Sequence, residues 1–484
     1  MANQQFSVEN ETAQLYHILG EKAAKKHKDI LPLLLFFMYR MDNIGLQGVF
    51  PHDGYYPAME TLPLKLSAKV SYGLYSQRSR KKIKPAADKP VYFISDNLLL
   101  SQRYNAFMEQ VFEKYDVVGS FTAADCHLKE MPAENELDKK RDAAKCIPMG
   151  KSIASDTTKQ YAQETFLKLE ELRAKSSTFE DAAPASAKVL LEGLEKHVKA
   201  DIKRAAKNFS KFNIQSYLCN NIYGLREYIC IEAARSLGIP TLHLQHAVDY
   251  VWDPSRLYEF YHNADEWLFW CEDDRLYNEQ YDRPLVTLGK KDYTTRVVGS
   301  PELIYEDVLK DIERFEPKKL ITCLVPSFED LYRSLCPDAP LEEKLQVAED
   351  TKREMFEKLV ELADRHQVKI YLRYHPDEMA ETMERDADFI KSHDCFILLD
   401  GSRENMKRCL SESLVMIASG SALFLADTYG CMAYNLNFSG KPTTLKDTDS
   451  LKTINIEDIP NIQVPENRGP IKKENCADVG KLFG

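Results

Sequence analysis

The chain reads as an α/β protein built from two doubly wound parallel sheets, with extra helices towards its N-terminal end. Three observations predict this. Short apolar runs repeatedly end in polar residues, segments of helical period lie between them, and 484 residues exceed one ordinary core.

Taken in order, residues 1–85 read as helical and irregular, closing with the basic stretch Arg78–Lys84. Pro90–Asp96 is the first buried strand, Ser101–Tyr115 a helix and Asp116–Phe121 a second strand, which opens a strand–helix–strand unit. Residues 134–210 are charged and helix-prone. Phe166, Leu169 and Leu172, then Leu190, Leu191, Leu194 and Val198, recur at helical spacing on either side of a loop at Lys175–Ala187. From residue 214 the alternation strengthens, with strands at Ile214–Cys219, Thr241–Leu244, Glu266–Trp270 and near Thr295–Val298. A helix at Tyr223–Leu237 breaks at Gly238-Ile239-Pro240 before the second of these strands.

After Pro317 the pattern restarts, with strands at Lys319–Pro326, Lys369–Tyr374, Cys395–Leu399, Leu414–Ala418 and Met432–Phe438. The helices between them are Leu341–His366, Ser402–Ser413 and Ser421–Tyr429. The expected organisation is therefore an N-terminal helical region (1–85) packing on a first domain (86–305, with a helical insertion at about 134–210). A second domain (306–455) and a tail (456–484) follow.

Composition limits the function. Hydrophobic residues make up 44% and charged residues 29%, as in a globular protein. A formal net charge of −11 argues against a general nucleic-acid binder, so an anionic ligand must be held by local devices such as helix N-termini. The eleven cysteines show no zinc or redox spacing and are odd in number, which predicts free thiols in reducing cytoplasm. Met1–Thr12 is polar and unlike a secretory signal. Ile30–Met38 is apolar but far short of the ~20 residues of a membrane span. Because it follows the basic run Lys22–Lys28, peripheral membrane association is compatible with it, alongside a plain buried helix.

Ligands of open α/β sheets bind beyond the C-terminal strand ends, and three such places carry chemistry. At Gln245-His246-Ala247, His246 is a candidate general base, or alternatively a strand-end residue bonded to the backbone. Asp249 and Asp253 are alternative bases. At His375-Pro376-Asp377-Glu378, proline opens a helix and His375 can donate to a phosphate oxygen, with Arg373 nearby on the strand. At Ser419-Gly420-Ser421-Ala422, hydroxyls, a flexible glycine and helix N–H groups suit an anion, although a serine N-cap would look the same. Asp96 and Asn97 end the first strand and are candidates on the acceptor side. Glu232 could orient a histidine or face water. Gly150-Lys151-Ser152 lacks the upstream glycine of a phosphate loop and is set aside. Glu272-Asp273-Asp274 has no matching carboxylate pair, so no tightly bound catalytic metal is expected, and the run reads as a solvated helix start.

Ala233–His246 resembles the segment leading into the Gln-His-Gly motif of bacterial capsule, lipopolysaccharide and teichoic-acid transferases. Phe269-Trp270 and Val297–Pro301 are similar to later segments of that group, and Tyr374-His375-Pro376 resembles its His-Pro motif. Ser419-Gly420-Ser421 resembles the serine motif of bacterial sialyltransferases and Kdo transferases; CDP-glycerol glycerophosphotransferases are related. The match spans roughly 214–440, and Ala247 stands where the motif has its last glycine.

The resemblance implies a GT-B fold, two Rossmann-like domains facing each other across a cleft. It implies a glycosyltransferase moving a Kdo- or sialic-acid-like sugar from a CMP-activated donor to a hydroxyl of a capsule or lipopolysaccharide glycan, or to a lipid-linked acceptor. His375, Arg373, Pro376 and Ser419–Ala422 would lie at the donor, and Asp96, Gln245 and His246 on the acceptor side, with His246 or Asp249 as base. The alternatives are a CDP-polyol phosphotransferase, a UDP-sugar 2-epimerase and a non-catalytic glycan-assembly subunit. The expected location is cytoplasmic, at the inner membrane face if it is peripheral.

Overall fold

The apolar runs between residues 90 and 300 form one parallel sheet, and those between 318 and 455 form another. The computed structural model describes residues 15–35, 37, 90–121, 135–149, 152–179, 181, 184–220, 225–246, 264–279, 293–327, 331, 335, 340–374, 378, 380–438 and 447–483. The chain divides into two compact units. The first comprises Met1–His246, Asp253–Val298 and Val479–Gly484, and the second Ala247–Trp252 and Gly299–Asp478.

In the first unit a short helix, α1 (Glu21–Lys26), precedes the sheet. The sheet elements then run β1 (Val91–Ile94), α2 (Asp96–Leu100), α3 (Asn105–Lys114), β2 (Val117–Phe121), α4 (Glu136–Ala144) and β3 (Lys145–Pro148). They continue α5 (Asp156–Lys175), α6 (Pro184–Phe209), β4 (Ile214–Cys219), α7 (Leu225–Ser236), β5 (Thr241–Leu244), β6 (Glu266–Phe269), α8 (Glu272–Glu279) and β7 (Thr294–Val297). The strand order is β3-β2-β1-β4-β5-β6-β7, and every pairing is parallel. Helical cover on both faces explains why these strands are near-continuous apolar runs. The stretch 134–210 is not wholly helical as the sequence suggested. Lys145-Cys146-Ile147-Pro148 is the edge strand β3, where a terminal proline is tolerated.

Helices α5 and α6 are the two long amphipathic segments expected from periodicity. Phe166, Leu169 and Leu172 of α5 share one core with Leu191, Leu194 and Val198 of α6. Ser155 caps α5 by accepting from the Thr158 amide at 3.2 Å, and the buried Asp201 carboxylate accepts from the Ser155 amide at 2.7 Å and the Thr158 hydroxyl at 2.6 Å. Pro184 opens α6 at a position where its missing N–H is not needed. Towards the sheet, Phe93 stacks on Tyr217 at 4.6 Å and meets Phe209 edge-on at 4.7 Å.

Residues 479–483 belong to this unit although they follow the second in sequence. Phe483 lies 4.1 Å from the Tyr92 ring and 4.8 Å from the Tyr115 ring. The Tyr115 hydroxyl donates to the Val479 carbonyl at 3.1 Å, and Arg296 donates to the carbonyls of Lys481 and Leu482.

The second unit runs α9 (Tyr305–Phe315), β8 (Leu320–Val325), α10 (Leu341–His366), β9 (Lys369–Tyr374), α11 (Ala380–Lys391) and β10 (Phe396–Leu399). It ends α12 (Arg403–Glu412), β11 (Val415–Ala418), α13 (Ser421–Thr428), β12 (Met432–Leu436) and β13 (Leu451–Ile454). Its order is β10-β9-β8-β11-β12-β13, again all parallel. Strand β13 lies beyond the last strand read from the sequence.

Both sheets thus share the Rossmann order, in which the first strand of the unit sits beside the fourth. The expected α/β class with two Rossmann-like sheets is what the chain adopts. Gly299, after β7, has a φ of 81°, and a Cβ there would collide with the Cys476 carbonyl where Ser300 bridges to Cys476.

Candidate functional site

In a sheet of this order the strand connections diverge at one point, between the first and fourth strands, and leave a crevice beyond their C-terminal ends. That point is β8/β11 in the second unit and β1/β4 in the first.

In the second unit, Ser419-Gly420-Ser421-Ala422 follows β11 directly, at this switch point. Gly420 adopts φ 68° and ψ −151°, a conformation that disfavours any side chain and turns the chain sharply into α13. As N-cap it offers no side-chain acceptor, so no side chain from that position caps the first amides of α13. Ser419 is exposed, and Ser421 and Ala422 are half-buried. The first turn of α13 carries no acidic residue to repel an anion.

Of the other donor-side candidates, Arg373 lies in β9 and His375 and Pro376 come after it in sequence; β9 is separated from β11 by β8 alone. Two strand spacings place the β9 and β11 ends about 10 Å apart on the same edge. His375 and Pro376 lie outside the described residues. Arg373 is buried, donating to the Gly401 carbonyl at 2.7 Å and the Ser402 carbonyl at 3.4 Å. The guanidinium therefore holds the turn entering α12, which Ser402 caps. Its Nε has no partner among the described residues, and desolvation lowers its pKa. Just past β9 is a buried ionic cluster. Lys352 Nζ lies 2.8 Å from Glu378 and 3.9 Å from Asp386, while the Tyr374 hydroxyl donates to Asp386 at 2.7 Å. Burial raises the pKa of Asp386, and the Tyr374 hydroxyl bonded to it is raised as well, again chiefly by burial.

In the first unit, Asp96 opens α2 at the β1/β4 switch point. Its carboxylate accepts from Ser120 Oγ of β2 at 3.1 Å and pairs with Arg226 of α7, which also reaches Ser120 Oγ at 3.3 Å. Asp96 is thus an ion-paired residue. Beside it, Ser95 and Asn220 end β1 and β4, and the Ser95 hydroxyl and both polar atoms of the Asn220 side chain are buried with no hydrogen-bond partner among the described residues. Such groups call for an explanation, and nothing in the sequence alone marks them.

Gln245 and His246 follow β5. Gln245 is buried; its Oε1 accepts from the Trp270 amide at 3.2 Å, its backbone carbonyl accepts from the Trp270 indole at 2.7 Å, and its Nε2 donates to Asp274. The Gln side chain therefore ties the ends of β5 and β6 to α8, and Asp274 is buried in that tie instead of lying on a solvated helix start. His246 is half-buried, with Arg103 Nη1 at 3.4 Å from Nε2 and the Tyr104 hydroxyl at 3.5 Å from Nδ1. A guanidinium only donates, so this contact uses the Nε2 lone pair, and a base role at Nε2 requires Arg103 to withdraw. Asp249 and Asp253 lie outside the described residues. Glu232 pairs with Arg235 at 3.1 Å.

Among the described residues no group of three or more His, Cys, Asp and Glu side chains could hold a metal. No described helix is long and apolar enough to cross a membrane. Burial raises the thiols of Cys146 and Cys323 to about 12 and those of Cys409 and Cys431 to about 11, which removes them as nucleophiles near neutral pH.

No family model matches the chain, and no curated protein matches its sequence. Similar folds occur among solved structures. A Listeria monocytogenes protein assigned as a UDP-N-acetylglucosamine 2-epimerase is 14% identical at TM-score 0.43, covering 77% of this chain and 86% of its own. The Methanocaldococcus jannaschii UDP-GlcNAc 2-epimerase, in complex with UDP-GlcNAc and UDP, is 12% identical at TM-score 0.39, covering 80% and 97%. MurG of Acinetobacter baumannii is 11% identical at TM-score 0.34, covering 77% and 88%. Likenesses at these scores carry no argument about the chain's chemistry.

Proposed function

We propose that the chain is an enzyme acting on a nucleotide-activated sugar, with the nucleotide phosphate seated on the turn between β11 and α13. The observation that carries this reading is the left-handed Gly420 between two serines at the switch point of the second sheet. Amides of the first helical turn and the Ser419 and Ser421 hydroxyls then meet the phosphate where charge develops, and His375, outside the described residues, is the further donor assigned in this reading. Each such donor is worth roughly 10²–10³ in turnover. Arg373 acts in this scheme by holding the turn at 401–402 and not by touching phosphate. The donor is CMP-linked in the preferred version, which transfers a Kdo- or sialic-acid-like sugar to a glycan or lipid-linked hydroxyl, with His246 or Asp249 as base.

Two of the solved structures named above are epimerases or assigned as such, and epimerisation of a UDP-sugar is the second reading. The experiment gives the protein CMP-, CDP- and UDP-linked sugars with and without glycan acceptors. A new sugar linkage only with acceptor supports transfer, and a new epimer from donor alone supports epimerisation. Absence of turnover together with no thermal stabilisation by CMP, CDP or UDP refutes the enzyme reading altogether.

A further inference from the structure

Helix α6 carries a charge pattern that its packing does not require. One side is buried through Leu191, Leu194, Val198, Ala205 and Phe209. On the opposite side Lys188, Lys196, Lys199, Lys203 and Lys207 are exposed, and at 100° per residue all five fall within a stripe about 100° wide running about 28 Å. The acids facing this stripe are few. Glu192 pairs with Lys26 of α1, and Lys199 bridges Glu195 and Asp29 at 2.5 and 2.9 Å. Among the described residues Lys196, Lys203 and Lys207 form no ion pair with a carboxylate, and Lys188 acts on Glu192 without pairing with it. Packing of α1 alongside, through His27 and Glu195, adds exposed Lys22 and Lys28 nearby, whereas Lys25 is paired with Glu21. In a chain of net charge −11, this concentration of positive charge runs against the whole-molecule balance.

We infer that this face of α6 and α1 binds an anionic lipid bilayer. A straight helix presents its lysines along one line, which a flat surface can meet at every position. The stripe holds no aromatic residue on which a base could stack and no arginine fork for base edges, both expected of a nucleic-acid surface. Lysines near an anionic leaflet each add to affinity through a screened attraction that fades within a Debye length.

The test is co-sedimentation of the full chain with vesicles of equimolar phosphatidylglycerol and phosphatidylcholine, or of phosphatidylcholine alone, at low and at physiological salt. The wild type is expected to bind the anionic vesicles and to be released by salt. The triple variant Lys196→Gln/Lys203→Gln/Lys207→Gln should bind roughly 10- to 100-fold more weakly, with an unchanged thermal midpoint. A control of equal charge change in the second unit, Lys319→Gln/Lys391→Gln/Lys452→Gln, should stay within about twofold of wild type, an interaction well below one lysine's contribution. Equal binding to both vesicle types overturns the proposal, as does equal weakening by the control. Tighter binding of the wild type to duplex DNA than to the vesicles, lost in the triple variant, overturns the choice of a bilayer.

Discussion

Replacing Lys352 by methionine tests the energetics of the second unit most directly. The side chains of Lys352, Glu378 and Asp386 are 2%, 1% and 7% exposed, so these charges are almost wholly out of water. Methionine keeps most of the volume and removes the ammonium, leaving the Glu378 carboxylate without the cation 2.8 Å away. Removing one partner of a buried pair costs about 3–5 kcal/mol. For a unit of this size, about 1 kcal/mol shifts the midpoint by 2–4 °C, so the second unit's transition should fall by roughly 6–20 °C.

The effect has a sign in pH. Burial already raises the Asp386 pKa in the fold, opposed by Lys352. A raised carboxyl favours the folded state below its folded pKa, and that contribution is lost as pH rises through it. Without Lys352 the carboxyl should rise further, so the deficit of the variant is largest at neutral pH and narrows on acidification through the carboxylate range. Calorimetry across that range reads both. A loss under about 1 kcal/mol, or a deficit independent of pH, would refute the assignment of this cluster as a mutually compensated charge group. The double variant Lys352→Met/Glu378→Met should recover much of the loss, because neither charge is then stranded.

The remaining predictions concern turns and the candidate site. Gly299→Ala should destabilise the second unit well beyond the 1–2 kcal/mol of left-handed strain, because the methyl meets the Cys476 carbonyl; Gly238→Ala, at φ 70° with open space around it, should show the strain alone in the same denaturation assay. Gln245→Ala should cost about 1–3 kcal/mol and shift the Trp270 fluorescence, since it removes acceptance from the Trp270 amide and donation to Asp274. Ser421→Ala should leave the midpoint of the free protein unchanged and reduce the stabilisation given by the preferred nucleotide, while turnover falls about 10²-fold or more; full nucleotide stabilisation in that variant would exclude the hydroxyl from the phosphate.

The architecture was legible wherever burial on both sheet faces forces a continuous apolar run. Lys369–Tyr374 was read to the residue, and Ser402 and Ser421 mark the starts of α12 and α13 as read. Strand β3 escaped because four residues bounded by lysine and proline carry no period, and β13 because Leu451-Lys452-Thr453-Ile454 is a half-exposed edge. The candidate site was legible where chemistry and strand end coincide in sequence, as at Ser419–Ser421. It was not legible where topology brings distant residues together: Arg226 lies 130 positions from the Asp96 it pairs with, and only the adjacency of β1 to β4 makes them neighbours. Gln245 shows the converse, a motif residue at a strand end whose side-chain bonds hold the framework.

The packing of Phe483 against Tyr92 and Tyr115 has a consequence for biogenesis. The aromatic nest at β1 and α3 is made early in synthesis, but its occupant emerges only after the entire second unit. At ribosomal rates of about 5–20 residues per second, that interval is roughly 10–40 s. During it the nascent first unit exposes two aromatic rings and Arg296 has yet to receive its backbone acceptors. A holdase that recognises aromatic surface would find its window there, until residues 479–483 are made and displace it.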